Sequence, residues 1–185
     1  MPLAFVEPAI AVWMKKTLNS SESEIGLVWL SGFIPHLTGV YLTVMLIKHY
    51  GKHQWLYIML AIILEGLSCL TISFITNLYV LMIPICIITF SYGIIDSVIL
   101  PTMAYLVDSR HGSVYGSVYA IVDVSYSVCY AFGPMISGVI LHFIGFFGLT
   151  IITCSLLVLF TPFLFFLRKI YYYKLLDESN KASIY

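Results

Sequence analysis

The sequence predicts an all-α protein whose solvent is lipid, on three observations. Hydrophobic residues make up 61% of its 185 residues and charged residues 10%, against roughly 45–50% and 25% in a soluble domain. Its apolar runs reach the roughly 20 residues that a membrane-spanning helix needs. Those runs lack the period-2 alternation, in segments of about ten residues, that marks a transmembrane barrel. Nine basic and nine acidic residues cancel, so no charge excess points to nucleic acid as a partner.

Counting between polar breaks gives one short apolar segment and five long ones. The short one runs from about Pro2 to Met14 and is closed by Lys15 and Lys16. The long ones run from about Ile25 to Ile47, Trp55 to Ile75, Leu78 to Val107, Ser113 to Phe143 and Phe146 to Leu167. They are parted by KKTLNSSESE from Lys15, KHYGKHQ from Lys48, Thr76-Asn77, DSRHG from Asp108 and a turn near Gly145. The bundle is thus expected over residues 1–169, and residues 170–185 form a polar tail. No basic n-region with a short apolar core and a cleavage site opens the chain, so the first segment does not read as a signal peptide. It reads instead as a helix entered partway.

Basic residues set the expected orientation. Lys48, Lys52, Arg110, Arg168, Lys169, Lys174 and Lys181 fall at alternate junctions, with Lys15 and Lys16 opposite. The richer side, with the C-terminus, belongs in the cytoplasm. Five and a half helices suit one half of a twelve-helix transporter built from two six-helix repeats. We therefore expect a C-terminal half, as a fragment or as a truncated product.

Four acids lie within the expected spans: Glu7, Glu65, Asp96 and Asp123. A carboxylate at mid-bilayer costs about 2.5–3.5 kcal/mol on insertion scales, so such groups face a bundle interior or a wet cavity. Burial raises the pKa of an aspartate from its reference of about 3.9 by up to about 3–5 units. A buried aspartate can then load a proton on one side of a membrane and lose it on the other. Where a cation and a proton compete for one carboxylate, binding of one releases the other, which is the basis of exchange. Asp96 is the first candidate for this role. Glu65 has only Ile62, Ile63, Leu64 and Leu67 around it in sequence, and reads more as a helix-holding acid than as a functional one.

Prolines accompany the polar positions. Glu7 precedes Pro8, His36 follows Pro35, and Asp96 stands five residues before Pro101. Each proline bends its helix and frees the carbonyl four residues back, which we expect to point into a cavity. Gly133 and Pro134, in GPMISG, add a bend and a site of close packing. Helical spacing puts Asp123, Tyr126, Ser127 and Tyr130 on one stripe, Trp29, Phe33 and His36 on another, and Tyr92 one turn before Asp96. Aromatic rings beside carboxylates attract organic cations, quaternary ammonium groups above all, at about 0.5–2 kcal/mol per contact.

The four cysteines, Cys69, Cys86, Cys129 and Cys154, fall within apolar stretches without disulfide or metal-ligand spacing, and read as small core residues. No cofactor and no metal are expected. His36 and the acids have no nucleophile or metal partner at suitable spacing, so nothing suggests an enzyme.

The stretch YLVDSRHGSVYGSVYAIVDVSYSVCYAFGP from Tyr105, with EPAIAVWM from Glu7 and SYGIIDSVILP from Ser91, resembles the C-terminal half of the vesicular amine transporters of the major facilitator superfamily. FIPHLTGVYLTV from Phe33, QWLY from Gln54 and DVSYSVCYAFGP from Asp123 resemble its acetylcholine branch more than its monoamine branch. The likeness covers nearly the whole chain up to about Arg168.

The resemblance implies the C-terminal six-helix half of a proton-coupled antiporter, its first helix truncated. Joined to an N-terminal half, it would load acetylcholine or a similar organic cation into synaptic vesicles. It implies that Asp96 binds substrate and exchanges protons, that Glu7 shares the cation site, and that Asp123 pairs with a lysine of the absent half. Trp29 and His36 take proton-handling positions, Tyr126 and Tyr130 face the central cavity, and Trp13 joins the substrate-binding set. Two departures stand out: Glu65 where an apolar residue is expected, and Gly112 for a bulkier residue. Leu175-Leu176 or Tyr172-Tyr173-Lys174-Leu175 would serve as a trafficking signal, and Asn19-Ser20-Ser21 is a glycosylation sequon close to the membrane. The alternatives are a monoamine cargo, or a truncated membrane protein that transports nothing and modulates a full-length partner.

Overall fold

A computed structural model describes residues 2–50, 54–110 and 115–164. The expected tail, the trafficking patterns within it, Lys52, Gly112 and Arg168 lie outside the described residues. Among the described residues seven α-helices follow one another: α1 Pro2–Thr17, α2 Glu22–Ser31, α3 Phe33–Tyr50, α4 Gln54–Ile72, α5 Leu78–Arg110, α6 Tyr115–Phe143 and α7 Gly145–Phe160. A 3-10 turn, Thr161–Phe163, follows α7. No strand occurs among the described residues.

Four stretches are long and apolar enough to cross a membrane: Glu22–His49, Gln54–Ile72, Leu78–Ala104 and Tyr119–Phe143. Their outward side chains, such as Leu30, Ile34, Tyr41, Phe74 and Ile83, are large, apolar and exposed. That is the pattern of a helix bundle set in hydrocarbon rather than water. The chain is a multi-pass membrane protein.

The stretch expected as one helix from Ile25 to Ile47 is two helices, α2 and α3, parted at Gly32. The cause lies three residues further on. Pro35 has no N–H to give to the Ser31 carbonyl, so the ladder stops there. The released carbonyl does not face a cavity: Cys86 of α5 donates its thiol to it at 3.5 Å. At α1, Pro8 releases the Ala4 carbonyl, and Gly133 of α6 packs against that oxygen, 2.7 Å from where a Cβ would stand. Neighbouring helices thus occupy two of the freed acceptors.

Other boundaries follow local chemistry. Ser21 caps α2 in a reciprocal box, in which its backbone N–H donates to Glu24 Oε2 at 2.7 Å and its hydroxyl accepts from the Glu24 N–H. A Lys15–Glu22 ion pair spans the α1–α2 loop. α4 ends at Ile72, short of the expected Ile75, because Ser73, Phe74 and Ile75 close turn-type bonds to Leu70, Thr71 and Ile72. Gly145 takes a φ of +81°, a conformation open to glycine, and so turns α6 into α7.

The core gathers Val6, Ile10 and Met14 of α1, Val28 of α2, Ile72 of α4, Leu81 and Ile85 of α5 and Leu149 of α7. A second cluster, built on Ile58 and Val98, ties α4 to α5. α3 and α5 meet main chain to main chain at two glycines. A Cβ on Gly39 would stand 2.5 Å from the Phe90 carbonyl oxygen, and one on Gly93 would stand 2.5 Å from that of His36.

Candidate functional site

α5 carries the central acid. Asp96 is half-buried, and the hydroxyl of Tyr126, from α6, donates to its Oδ1 at 3.3 Å. Tyr92, one turn earlier on α5, lies within interaction range of the same carboxylate. Tyr130, one turn beyond Tyr126, is in electrostatic reach of both Asp96 and Glu7. Two phenols from α6 and one from α5 thus surround an acid, with Glu7 of α1 beyond them.

His36 joins this group through α5. Its ring stacks on Tyr92 with centroids 5.7 Å apart, and its Nδ1 is 3.3 Å from the Thr89 carbonyl oxygen. An oxygen acceptor there calls for a proton on Nδ1. Gly93 makes the approach possible, since its missing Cβ would sit 3.3 Å from that nitrogen.

Not every expected grouping survives. Trp29, Phe33 and His36 do not share one environment, although Gly32 between them keeps a right-handed helical backbone. Trp29 turns inward beside Glu7 and Glu65, whereas Phe33 is 59% exposed. On α6, Tyr126 is half-buried, while Asp123, Ser127 and Tyr130 are exposed along an open face. Asp123 has no ion-pair partner among the described residues. Trp13 stacks on Phe146 of α7 with centroids 4.8 Å apart and packs against the main core. Pro101 and Pro134 are exposed, and Pro8 and Pro35 half-buried.

Glu65 is the residue that sequence reasoning undervalued. It is 1% exposed and faces inward from α4, into a small cavity shared with Glu7 and Trp29. The four cysteines are free, and no group of three or more potential metal ligands occurs among the described residues.

The model of the Major Facilitator Superfamily matches residues 1–181.

The chain belongs to the Major Facilitator Superfamily.

Within that superfamily it is similar to a protein named vesicular acetylcholine transporter from Torpedo torpedo, at 48% identity over 170 residues, which are 92% of this chain and 33% of the relative. It is similar to proteins of the same name from Drosophila melanogaster, at 44% over 98% of this chain and 31% of the relative, and Mus musculus, at 46% over 92% and 32%. The chain spans about a third of the length of the curated relatives it matches. For a superfamily member, an acid ringed by phenols beside an open helix face is an arrangement suited to a solute cavity.

Proposed function

We propose that this chain is the C-terminal half of a proton-coupled antiporter that loads acetylcholine into vesicles, its transport path being completed by an N-terminal half. The reading is supported by the 44–48% identity to proteins named vesicular acetylcholine transporter together with the chemistry around Asp96. A quaternary ammonium group cannot donate a conventional hydrogen bond, so its recognition depends on a negative charge and on aromatic faces. Asp96 supplies the first, and Tyr92, Tyr126 and Tyr130 the second.

In this reading a proton and the cation compete for Asp96. The Tyr126 hydroxyl holds the carboxylate in one orientation, which spares the incoming cation the task of ordering it. Glu7 and Trp29 extend the site toward α1 and α2, and His36 provides a ring with one nitrogen free for proton handling. Asp123, on the open face of α6, is placed to meet a basic residue of the other half. Membership of a synaptic vesicle membrane, with the C-terminus cytoplasmic, belongs to the same proposal.

The observation that carries it is the Tyr126–Asp96 contact within a chain so similar to these relatives. Its test joins the segment to a matching N-terminal half and measures vesicular acetylcholine uptake with Asp96→Asn. Uptake should be abolished, and uptake at the normal level rejects the assignment. Competition between choline esters and catecholamines in the same vesicles separates acetylcholine from a monoamine as cargo.

A further inference from the structure

Tyr92 of α5 stands between two titratable groups of the site. His36 of α3 and Asp96 of α5 make no hydrogen bond or ion pair with one another among the described residues, yet Tyr92 meets both. The His36 ring stacks on the Tyr92 ring with centroids 5.7 Å apart and planes 29° from parallel. One turn along α5, the Tyr92 hydroxyl interacts with the Asp96 carboxylate, the four-residue spacing setting both side chains on one face of the helix.

The surroundings decide which atoms are free. Gly93 lets α3 come close enough for His36 Nδ1 to stand 3.3 Å from the Thr89 carbonyl oxygen. A proton on Nδ1 answers that acceptor, so Nε2 is the nitrogen left to take a second proton. On the acid, the Tyr126 hydroxyl donates to Oδ1 at 3.3 Å, and a carboxylate has lone pairs enough for another phenol. The titratable groups in reach of Asp96 are Tyr92 of its own helix, Tyr126 and Tyr130 of α6 and Glu65 of α4. Asp123 reaches Tyr126, and Glu7 of α1 reaches Tyr130. None of these groups becomes a cation. His36 does, when Nε2 is protonated.

A phenol so placed carries charge information from one end to the other. Donation to a carboxylate polarises the hydroxyl and enriches the ring, as members of a hydrogen-bonded chain polarise one another. The enriched face then holds an imidazolium more strongly. A neutral Asp96 leaves that face weaker.

We infer that Tyr92 is a positioning residue that couples the second proton of His36 to the charge on Asp96. The His36 imidazolium accompanies the Asp96 carboxylate, and neutralisation of Asp96, by a proton or by a bound organic cation, releases the proton from Nε2. The cargo step rests on the exchange proposed above; the coupling itself needs no cargo.

Solid-state NMR of the purified protein in lipid nanodiscs, with isotope-labelled histidine, tests it. The spectra read the protonation of each ring nitrogen, and the His36 signals are assigned by their loss in His36→Gln. At about pH 6, close to the ordinary histidine range, Asp96→Asn should cut the share of doubly protonated His36 about twofold or more, the equivalent of one weak cation–π contact. Tyr92→Phe keeps the stacked ring and removes the hydroxyl. In that background Asp96→Asn should have little effect, a loss of response that a merely space-filling Tyr92 would not produce. If Tyr92→Phe does not fold, Tyr92→Leu, which lacks ring and hydroxyl alike, should lose the response too. An Asp96→Asn effect of equal size with and without the Tyr92 hydroxyl, or none in the parent chain, overturns the inference. Coupling without acetylcholine uptake supports the link and rejects the cargo, whereas normal uptake without coupling rejects the link alone.

Discussion

The hydroxyl of Tyr126 on α6 donates to Oδ1 of Asp96 on α5 at 3.3 Å, a link between residues thirty apart in sequence that ties the central acid to the helix carrying the open polar face. A hydrogen bond to a charged group contributes about 1.5–3 kcal/mol. Tyr126→Phe keeps the ring for cation contact and removes only the donor. We expect substrate affinity to fall about tenfold or more, read as a raised KM for uptake in vesicles, with the fold retained.

Gly93 predicts a second effect. A Cβ there would stand 2.5 Å from the His36 carbonyl oxygen, so α3 and α5 would have to part. Overpacking of this kind costs about 1–3 kcal/mol. Gly93→Ala should lower the thermal unfolding midpoint in detergent, whereas Gly26→Ala, with nothing within 4 Å of its added carbon, should not lower it.

Cys86 supplies a thiol donor to the carbonyl that Pro35 leaves open on Ser31. Cys86→Val fills similar space and removes the donor, at a cost of about 1 kcal/mol or more for the orphaned acceptor. Cys86→Ser keeps an O–H there and should cost less. Unfolding midpoints of the two variants, compared side by side, check the order.

Pro35 itself predicts a structural change. Pro35→Ala restores an N–H opposite the Ser31 carbonyl, so α2 and α3 can join through Gly32. Amide hydrogen exchange at residues 32–36 should slow in the variant. Unchanged exchange would mean that Gly32, not Pro35, interrupts the ladder.

These residues also show what the sequence made legible. α5 was readable as one long helix through Pro84 and Pro101, because the apolar run from Leu78 is unbroken and neither proline is followed by a turn signal. The pairing of Tyr126 with Asp96 was foreshadowed by stripes on two helices, though spacing within a helix says nothing about which helices meet. The Trp29, Phe33 and His36 stripe did not become one surface because Phe33 points outward, at 59% exposure, while Trp29 turns inward. Glu65 was hard to orient because α4 is apolar on nearly every side. A helix without a polar face gives periodicity nothing to work on. The signal that could have found it was the presence of Glu7 within another apolar run, Pro2 to Met14, with no lysine inside either run.

At Gly39 and Gly93 two main chains come directly against each other. Backbone set directly against backbone leaves little room to absorb a displacement by switching rotamers. On the transport reading proposed above, any rocking would carry α3 and α5 as a single strut. α2, held to α5 by the Cys86 thiol on the Ser31 carbonyl, would then travel with that strut.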